Sequence, residues 1–272
     1  MMIINFTVLM CTYKKDDPFL LEKAVDSVFN NSIKPNFFIL TIDGPIPQET
    51  QRIVNKLRVK YTLEINILKE NLGLARALNS AIPLVKTEWI ARADSDDLNF
   101  SNRFEKQIKY AKKGFDVIGS NIYEIDIYET IQLPRLRKIM PIHNKEIKRF
   151  ARFRNPMNHM TTFYRADAVK LVGGYPNIYL REDYGLWAKL ICNNNKFINI
   201  NECLVCVNGG NQLYLRRRGF RNVLGEMKLQ VHLFKNNVQP LYLALFLFIL
   251  RFSLLLLPKN IIKILYIKIL RK

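Results

Sequence analysis

Three carboxylates lie within four residues in the stretch Asp94-Ser-Asp-Asp97, directly behind an apolar run and an Arg-Ala pair. Carboxylates at this spacing repel one another, and each disfavours the ionised form of the others. A positive partner is therefore expected, and a hard divalent cation that also binds a diphosphate suits a site of two carboxylates. The alternative is an Asp-rich turn that caps the next helix, with Asn99, Ser101 and Asn102 as further capping candidates.

The elements that must position these acids form a regular alternation. Predicted strands cover residues 4–11, 37–42, 63–68, 89–93 and 117–122, and predicted helices cover residues 18–29, 48–57, 74–82 and 104–111. Asp16 or Asp17 is expected to cap the first helix. Strands that alternate with helices in this way indicate an α/β fold, with a mostly parallel central sheet and helices on both faces.

Three polar clusters follow predicted strands. They are Thr12-Tyr13, Asp43-Gly44 and the acids of residues 94–97. Because ligands of open α/β sheets bind beyond the carboxyl ends of the strands, we expect these clusters to meet at one edge.

The second half of the chain is less regular. Residues 135–154 carry eight Lys/Arg and one acid, which indicates a substrate-facing loop with a short helix. A strand is predicted over residues 161–164, and helices over residues 166–171 and 182–190. Glu182 and Asp183 lie in the first turn of the last helix, where the helix dipole favours carboxylates even without a function.

The composition of the chain narrows the classes of molecule that it could bind. The chain has 272 residues, is 49% hydrophobic and carries a net charge of +19, so a large core is possible and a polyanionic or anionic-surface partner is indicated. Nucleic acid, anionic lipid and a phosphorylated substrate remain open on this basis. Cys203 and Cys206 have a metal-like spacing without a second pair, so free thiols are expected. The first residues do not form a signal peptide, which predicts a cytoplasmic protein.

The C-terminal stretch is both apolar and basic. Residues 241–257 contain one charge, Arg251, and residues 261–272 alternate aliphatic with basic side chains. A membrane span needs about 20 apolar residues, so this segment is slightly short. An interfacial, membrane-surface segment is predicted, and a span or a dimer or core helix are the alternatives.

Six short motifs now resemble one family when read in order. The chain resembles inverting nucleotide-sugar glycosyltransferases of family 2, and among them the bacterial enzymes of O-antigen and amylovoran-type exopolysaccharide repeat units. The resemblance spans about residues 6–225. The motifs are Cys11-Thr-Tyr13, Asp43-Gly-Pro45, Asn71-Leu-Gly-Leu-Ala-Arg-Ala-Leu-Asn79, Ala91-Arg-Ala-Asp-Ser-Asp-Asp97, Asn158-His-Met-Thr161, and Gly173-Gly-Tyr175 with Glu182-Asp-Tyr-Gly-Leu-Trp187.

The resemblance implies a GT-A fold in three parts. Residues 1–125 would form the nucleotide-sugar-binding half and residues 126–238 the acceptor-binding half of one domain. Residues 239–272 would form a helical, membrane-associating extension.

The family also implies a donor site. Thr12 and Tyr13 would line the nucleotide pocket, and Asp43 would accept a hydrogen bond from the uracil. Arg76 would lie near the nucleotide. Asp94 and Ser95 would contact the donor, and Asp96 together with Asp94 would hold Mn²⁺ or Mg²⁺ on the diphosphate.

On the acceptor side the resemblance implies that Asp183 is the general base, with Glu182 as the second choice. Arg217 and Arg218 would close over a diphosphate, or else form a solvated or lipid-facing patch. His159 is either a substrate contact or a structural residue.

The implied activity is the inverting, metal-dependent transfer of a hexose from UDP-Gal or UDP-Glc to a lipid-diphosphate-linked saccharide, such as GlcNAc on diphosphoundecaprenol. A single sugar is expected per acceptor, because the Gln-x-x-Arg-Trp motif of processive synthases is absent from the sequence. The enzyme would be peripheral on the inner face of the cytoplasmic membrane. Alternative acceptors are a lipooligosaccharide or a protein-linked glycan. A basic nucleic-acid-binding protein and a catalytically silent subunit are the alternatives from other classes.

Overall fold

The computed structural model describes residues 4–125, 136–208 and 220–256. Its strands are β1 Phe6–Thr12, β2 Phe37–Asp43, β3 Glu64–Leu68, β4 Trp89–Arg92, β5 Leu98–Asn99, β6 Val117–Ile125, β7 Leu136–Lys138, β8 Phe163–Arg165 and β9 Phe197–Asn208. Its helices are α1 Pro18–Phe29, α2 Gln48–Tyr61, α3 Leu74–Ala81, α4 Arg103–Ala111, α5 Asn144–Phe150, α6 Ala166–Leu171, α7 Glu182–Cys192, α8 Phe220–Lys235 and α9 Leu241–Leu256.

The N-terminal part of the sheet is parallel. β3, β2, β1 and β4 lie side by side in that order, and α1, α2 and α3 provide the crossovers between them. Thr12 at the end of β1 lies opposite Ile42 in β2, while Leu9 lies opposite Arg92 at the end of β4. The residues that follow these strands therefore share one edge, which confirms the predicted α/β class and arrangement.

The second part of the sheet is mixed. β8 pairs antiparallel with both β4 and β6, and β9 runs parallel to β6 with a register irregularity around Asn121. β5 adds to β9, and β7 adds to β6, both antiparallel. β9 ends at Asn208, whose N–H donates to Asp97 in the acid-rich loop.

Helices cover both faces of the sheet, as predicted. On β1, Phe6, Val8 and Met10 pack with residues of α1, α2 and α4. Leu9 and Cys11 face the other side and pack with residues of α3 and α7. A parallel strand that is buried on both faces is expected to be a continuous apolar run, which is how β1 reads in the sequence.

The strand predicted over residues 161–164 is wrong by two residues. Residues His159–Thr161 form a 3-10 turn, in which the Thr161 hydroxyl donates to Asn158 O at 2.8 Å, and the strand begins at Phe163. The sequence patterns also do not predict β5, β9 or α8. In β9 the exposed pair Asn201 and Glu202 interrupts the apolar run, so the strand looks like two fragments.

The C-terminal helices pack on the body of the protein. Leu229 and Leu233 of α8 lie against Tyr184 and Ala188 of α7. Among the helices that the structure describes, none has both the length and the hydropathy to cross a membrane. The predicted helical extension is confirmed up to Leu256, and the predicted basic segment of residues 261–272 lies outside the described residues.

Candidate active site

Asp16 joins the end of β1 to the acid-rich loop. Asp17, and not Asp16, caps α1 by accepting from Phe19 N at 2.8 Å. Asp16 Oδ2 instead accepts from Ser95 Oγ at 2.7 Å and from Tyr13 N at 3.3 Å. Burial raises the pKa of Asp16 despite these bonds. The predicted convergence of Tyr13 with the loop of residues 94–97 is therefore confirmed.

Two fully buried arginines lie beneath the acids. Arg92 forms an ion pair with Asp94 and also donates to Leu9 O at 3.3 Å. Arg103 donates to Arg92 O at 2.7 Å, and it also contacts the Asn99 side chain. Burial would lower the pKa of Arg92, but Asp94 raises it above its ordinary value, whereas burial and Arg92 lower the pKa of Arg103 to about 9. The positive charge that the acid cluster requires comes in part from the protein core.

Asp97 is the buried acid of the cluster. Its Oδ1 accepts from Asn208 N at 3.1 Å, and its Oδ2 has no hydrogen-bond partner among the described residues. Burial raises the pKa of Asp97 well above its usual range, and Asp96 and Asp94 add to the effect. Asp97 therefore disfavours its charged form, and its bond to Asn208 ties the loop to the end of β9.

The acid cluster does not cap a helix. α4 begins at Arg103 with Asn102 as its N-cap residue, and the short strand β5 separates it from Asp97. The Asn102 side chain makes no capping bond, and the Asn99 side chain binds Ser27 and Arg103. The capping alternative raised by the sequence is wrong.

Asp43 holds the loop in front of α3. Its carboxylate accepts from Leu72 N at 2.7 Å, from Gly73 N at 2.9 Å and from Asn71 Nδ2 at 3.0 Å. Gly44 has a φ of +82°, and a Cβ there would lie 2.5 Å from Asn71 N. This position therefore requires glycine, and the close approach locks the end of β2 against the loop.

The remaining donor-site candidates lie near the same edge. Thr12 is buried at the end of β1, Tyr13 is half-buried in the next position, and Arg76 is exposed in the first turn of α3. Arg217 and Arg218 lie outside the described residues.

Glu182 and Asp183 open α7, as predicted. Asp183 accepts from Asn155 Nδ2 at 2.6 Å and from Tyr184 N at 2.7 Å. Burial, followed by the charge of Asp183, raises the pKa of Glu182 to about 7, while Arg92 lowers it and Asp94 raises it further. These last two influences show that the acid pair lies within electrostatic reach of the cluster at the sheet edge.

His159 is part of a buried polar chain. Its Nε2 lies 2.9 Å from the Tyr175 hydroxyl, which lies 2.8 Å from the Tyr164 hydroxyl. Burial, with a contribution from Arg92, lowers the pKa of His159 well below its usual range, so the ring is neutral. Of the two interpretations of His159, its contacts favour the structural one.

The donor set suits a cation that binds together with a diphosphate. Within the described part of the chain, no three His, Cys, Asp or Glu side chains are grouped closely enough to hold a metal alone. Asp97 is buried, whereas Asp94 and Asp96 are half-buried, so Asp94 and Asp96 are the carboxylates of the loop that a cation could reach. Mg²⁺-type sites commonly use one or two carboxylates and complete their shell with substrate phosphates and water.

Several residues of the site are not singled out by the sequence patterns. Arg92 and Arg103 look like ordinary surface charges in the sequence, Asp16 like a capping residue, and Asn155 like part of a basic loop. The one signal in the sequence for such a residue is the position of Arg92, which ends β4 two residues before Asp94.

This sheet order, with helices on both faces, matches the predicted GT-A fold. The chain belongs to glycosyltransferase family 2, because residues 7–171 match the family model described as Glycosyl transferase family 2. The predicted enzyme class is confirmed.

Two relatives refine the comparison. The amylovoran biosynthesis glycosyltransferase AmsE of Erwinia amylovora is 32% identical over 82% of this chain and 84% of its own length. The UDP-Gal:alpha-D-GlcNAc-diphosphoundecaprenol beta-1,3-galactosyltransferase of Escherichia coli is 31% identical over 98% of this chain and 97% of its own. The predicted resemblance to bacterial repeat-unit glycosyltransferases is confirmed.

Two solved structures share the fold. S. aureus TarS in complex with UDP-GlcNAc superposes with a TM-score of 0.64 at 17% identity, over 85% of this chain and 67% of that one. The mannosyltransferase PcManGT from Pyrobaculum calidifontis, in complex with GDP-Man and Mn²⁺, superposes with a TM-score of 0.62 at 14% identity, over 92% of this chain and 74% of that one.

Proposed function

We propose that this glycosyltransferase moves a hexose from UDP-Gal or UDP-Glc to a saccharide on a lipid diphosphate, such as GlcNAc-diphosphoundecaprenol, with inversion and one sugar per acceptor. The observation that carries the proposal is that two acid groups lie within electrostatic reach of each other and have different charged surroundings. Asp94 is paired with a buried arginine, whereas Glu182 beside Asp183 has a pKa raised to about 7. The name of the E. coli relative supports the donor and the acceptor.

On the donor side, the chain offers contacts for each part of a UDP-sugar. The Tyr13 ring would stack on the base, with Thr12 beneath it and Arg76 near the diphosphate. A carboxylate has about four lone-pair sites, and the loop donors occupy three of those on Asp43. The remaining site would accept from the uracil imide while the others keep the loop in place.

Asp96 and Asp94 would hold Mn²⁺ or Mg²⁺, which when bound stabilises the negative charge that develops on the leaving diphosphate. Arg92 holds Asp94 in place through their ion pair, and Ser95 is fixed by its bond to Asp16. PcManGT, which has the same fold, is described with GDP-Man and Mn²⁺.

On the acceptor side, Asp183 would take the proton of the attacking hydroxyl. Inversion requires a base on the face of the anomeric carbon opposite the leaving group. Asn155 fixes one Asp183 oxygen at 2.6 Å, which orients the carboxylate. Glu182 is the second candidate, because its raised pKa suits a group that exchanges protons near neutral pH.

A membrane surface is proposed as the further partner. α8 exposes an apolar stripe at three- and four-residue spacing, and α9 exposes a second one. A basic line with seven-residue spacing flanks the first stripe, which suits anionic lipid headgroups. The apolar residues are Phe220, Leu224, Met227, Val231 and Phe234 on α8 and Tyr242, Leu245, Phe246 and Ile249 on α9, and the basic residues are Arg221, Lys228 and Lys235.

The charge of Arg251 does not oppose this surface. Arg251 is the one charged residue of α9, and it turns inward to pair with Glu226 at 2.5 Å. The outer face of α9 therefore carries no charge. Replacing Phe246 and Ile249 with Asp should abolish sedimentation with anionic vesicles, whereas replacing the exposed Val59 of α2 with Asp should not. Unchanged vesicle binding, or a concentration-dependent dimer without vesicle binding, would contradict a lipid partner.

The function is tested with purified protein, Mn²⁺, a panel of UDP-sugars and a synthetic GlcNAc-diphosphate lipid. The expected product is a disaccharide lipid formed from UDP-Gal or UDP-Glc, with a β-linkage visible by NMR. Lipooligosaccharide and glycopeptide acceptors serve as the competing arms. Transfer to one of them alone would move the acceptor assignment, and a retained α-linkage would exclude the inverting mechanism.

A further inference from the structure

The turn before the acid pair has a disfavoured backbone conformation. Leu180 has a φ of +58°, in the left-handed region that side-chain-bearing residues rarely occupy. Such conformations persist where neighbouring structure holds them, and they cluster at functional sites. Leu180 lies two residues before Glu182, so whatever holds this turn also sets where α7 begins.

α8 packs tightly on this turn. A Cβ on Gly225 would lie 2.8 Å from Tyr179 O and 3.2 Å from Arg181 Nη1, so the two backbones approach closely only because residue 225 is glycine. The Arg221 guanidinium also lies 4.7 Å from the centre of the Tyr179 ring. The contact is therefore shaped by several side chains of α8.

Arg181 links the turn to α8 by charge. Its Nε donates to Glu226 Oε2 at 2.8 Å, and its Nη1 donates to Asn222 Oδ1 at 2.8 Å. Arg181 is also the N-cap residue of α7, and its carbonyl accepts from Gly185 N at 3.0 Å in the first turn. A displacement of Arg181 must therefore displace Glu182 and Asp183.

Glu226 stands between the two C-terminal helices and the turn. It is 3% exposed and pairs with Arg181 on one oxygen and with Arg251 of α9 on the other, at 2.5 Å. Burial would raise the pKa of Glu226, but Arg251 and Arg181 lower it below its ordinary value, so the carboxylate is ionised. The three side chains form an ion triad in which two half-buried arginines pair with one buried carboxylate.

We propose that Glu226 is a positioning residue, which holds the Glu182–Asp183 pair in its reactive place through Arg181 while Arg251 ties the same carboxylate to α9. The inference rests on the proposed role of the acid pair. It makes α8 and α9 part of the machinery for proton transfer, in addition to any contact with lipid.

A variant without the triad separates positioning from stability. Removing one member of a buried ion group strands the other charges, but removing all of them leaves no unpaired charge, so the protein should stay folded. In Arg181→Met/Glu226→Leu/Arg251→Met, kcat should fall roughly 10- to 100-fold, as expected for a small misplacement of a reacting group. The KM for the UDP-sugar should not change, because the donor residues are untouched.

The matched control removes an ion pair on the donor half. Lys60 Nζ lies 2.9 Å from Asp26 Oδ1 between α2 and α1, and Lys60→Met/Asp26→Leu should keep the wild-type kcat. A folded triad variant with wild-type kcat would overturn the proposal.

Gly225→Ala provides a second test. Alanine favours the helical conformation more than glycine, so α8 itself becomes more stable, yet the methyl group must push the turn away. Both variants should show faster hydrogen exchange at the amides of the first turn of α7, with unchanged exchange in α3. A loss of kcat without faster exchange in α7 would refute positioning through α8.

The exchange experiment does not depend on the reaction. A wild-type protein that transfers no sugar from any UDP donor would count against the proposed function. Unchanged α7 exchange in both variants would count against the positioning role alone.

Discussion

Two groups of carboxylates lie within electrostatic reach of each other, and their surroundings differ. At the sheet edge, the acids of residues 94–97 rest on the buried arginines Arg92 and Arg103, and Asp94 is directly ion-paired. At the start of α7, Asp183 is fixed by two amide donors, and burial raises the pKa of its neighbour Glu182 to about 7. In the proposed function, the first environment would keep charge in place for binding, and the second would allow a proton to be taken near neutral pH.

The largest effect is expected at the acceptor-side acids. Asp183→Asn should lower kcat by about 10²- to 10⁴-fold, the usual range for a general base. The Asn155 contact can persist, so the fold and the UDP affinity should be retained. Steady-state kinetics and calorimetric titration with UDP check both parts, with Asp167→Asn on α6 as a control. A wild-type kcat in Asp183→Asn would move the base to Glu182 or elsewhere.

The donor-side acids depend instead on their buried arginines. Arg92→Met removes a fully buried guanidinium, together with its ion pair to the half-buried Asp94 and its bond to Leu9 O, so the free energy of unfolding should fall by about 3–5 kcal/mol. Arg165 is a matched control, because its pairs with Glu88 and Asp167 are exposed, and Arg165→Met should cost about 1 kcal/mol or less. Equal losses in urea denaturation of the two variants would contradict a special role for Arg92.

The difference between the two acid groups also predicts a dependence of stability and activity on pH. The pKa of Glu182 rises from 4.5 to about 7 on folding, so the folded state binds the extra proton and its stability contribution is lost as pH rises through 7. The unfolding temperature of wild type relative to Glu182→Gln should therefore fall between pH 5 and pH 8. In kinetics, Glu182→Gln should remove a limb near pH 7 from the kcat/KM profile. An unaltered limb would show that another group titrates there.

The smallest expected effects distinguish the roles of the adjacent residues Asp16 and Asp17. Asp17→Ala removes the cap of α1 and should cost about 1 kcal/mol of stability without changing KM. Asp16→Ala removes the bond to Ser95 and should raise the KM for the donor with little change in stability. Interchanged outcomes would mean that Asp16 is the structural member of the two.

The predictability of the two regions from sequence differs for a physical reason. The elements β1 to β4 and the acids behind them follow from local apolar patterns and from the geometry of parallel sheets. The raised pKa of Asp97 does not, because it depends on burial beside Asn208, 111 positions away. The burial of Arg92 against Leu9 and the bond of Asp16 to Ser95 likewise depend on contacts between residues that are distant in sequence. The sequence patterns do not predict β9 because polar residues interrupt its apolar run. They do not predict α8 because its outward apolar stripe obscures the helical pattern.

The division of duties between the two acid groups is tested most directly by calorimetric binding of UDP, with and without Mn²⁺, to Asp96→Asn and Asp183→Asn. The account predicts that Asp96→Asn loses the Mn²⁺-dependent part of UDP binding, whereas Asp183→Asn binds UDP as tightly as wild type while failing to transfer sugar. Mn²⁺-dependent binding that survives in Asp96→Asn, or that disappears in Asp183→Asn, would contradict it.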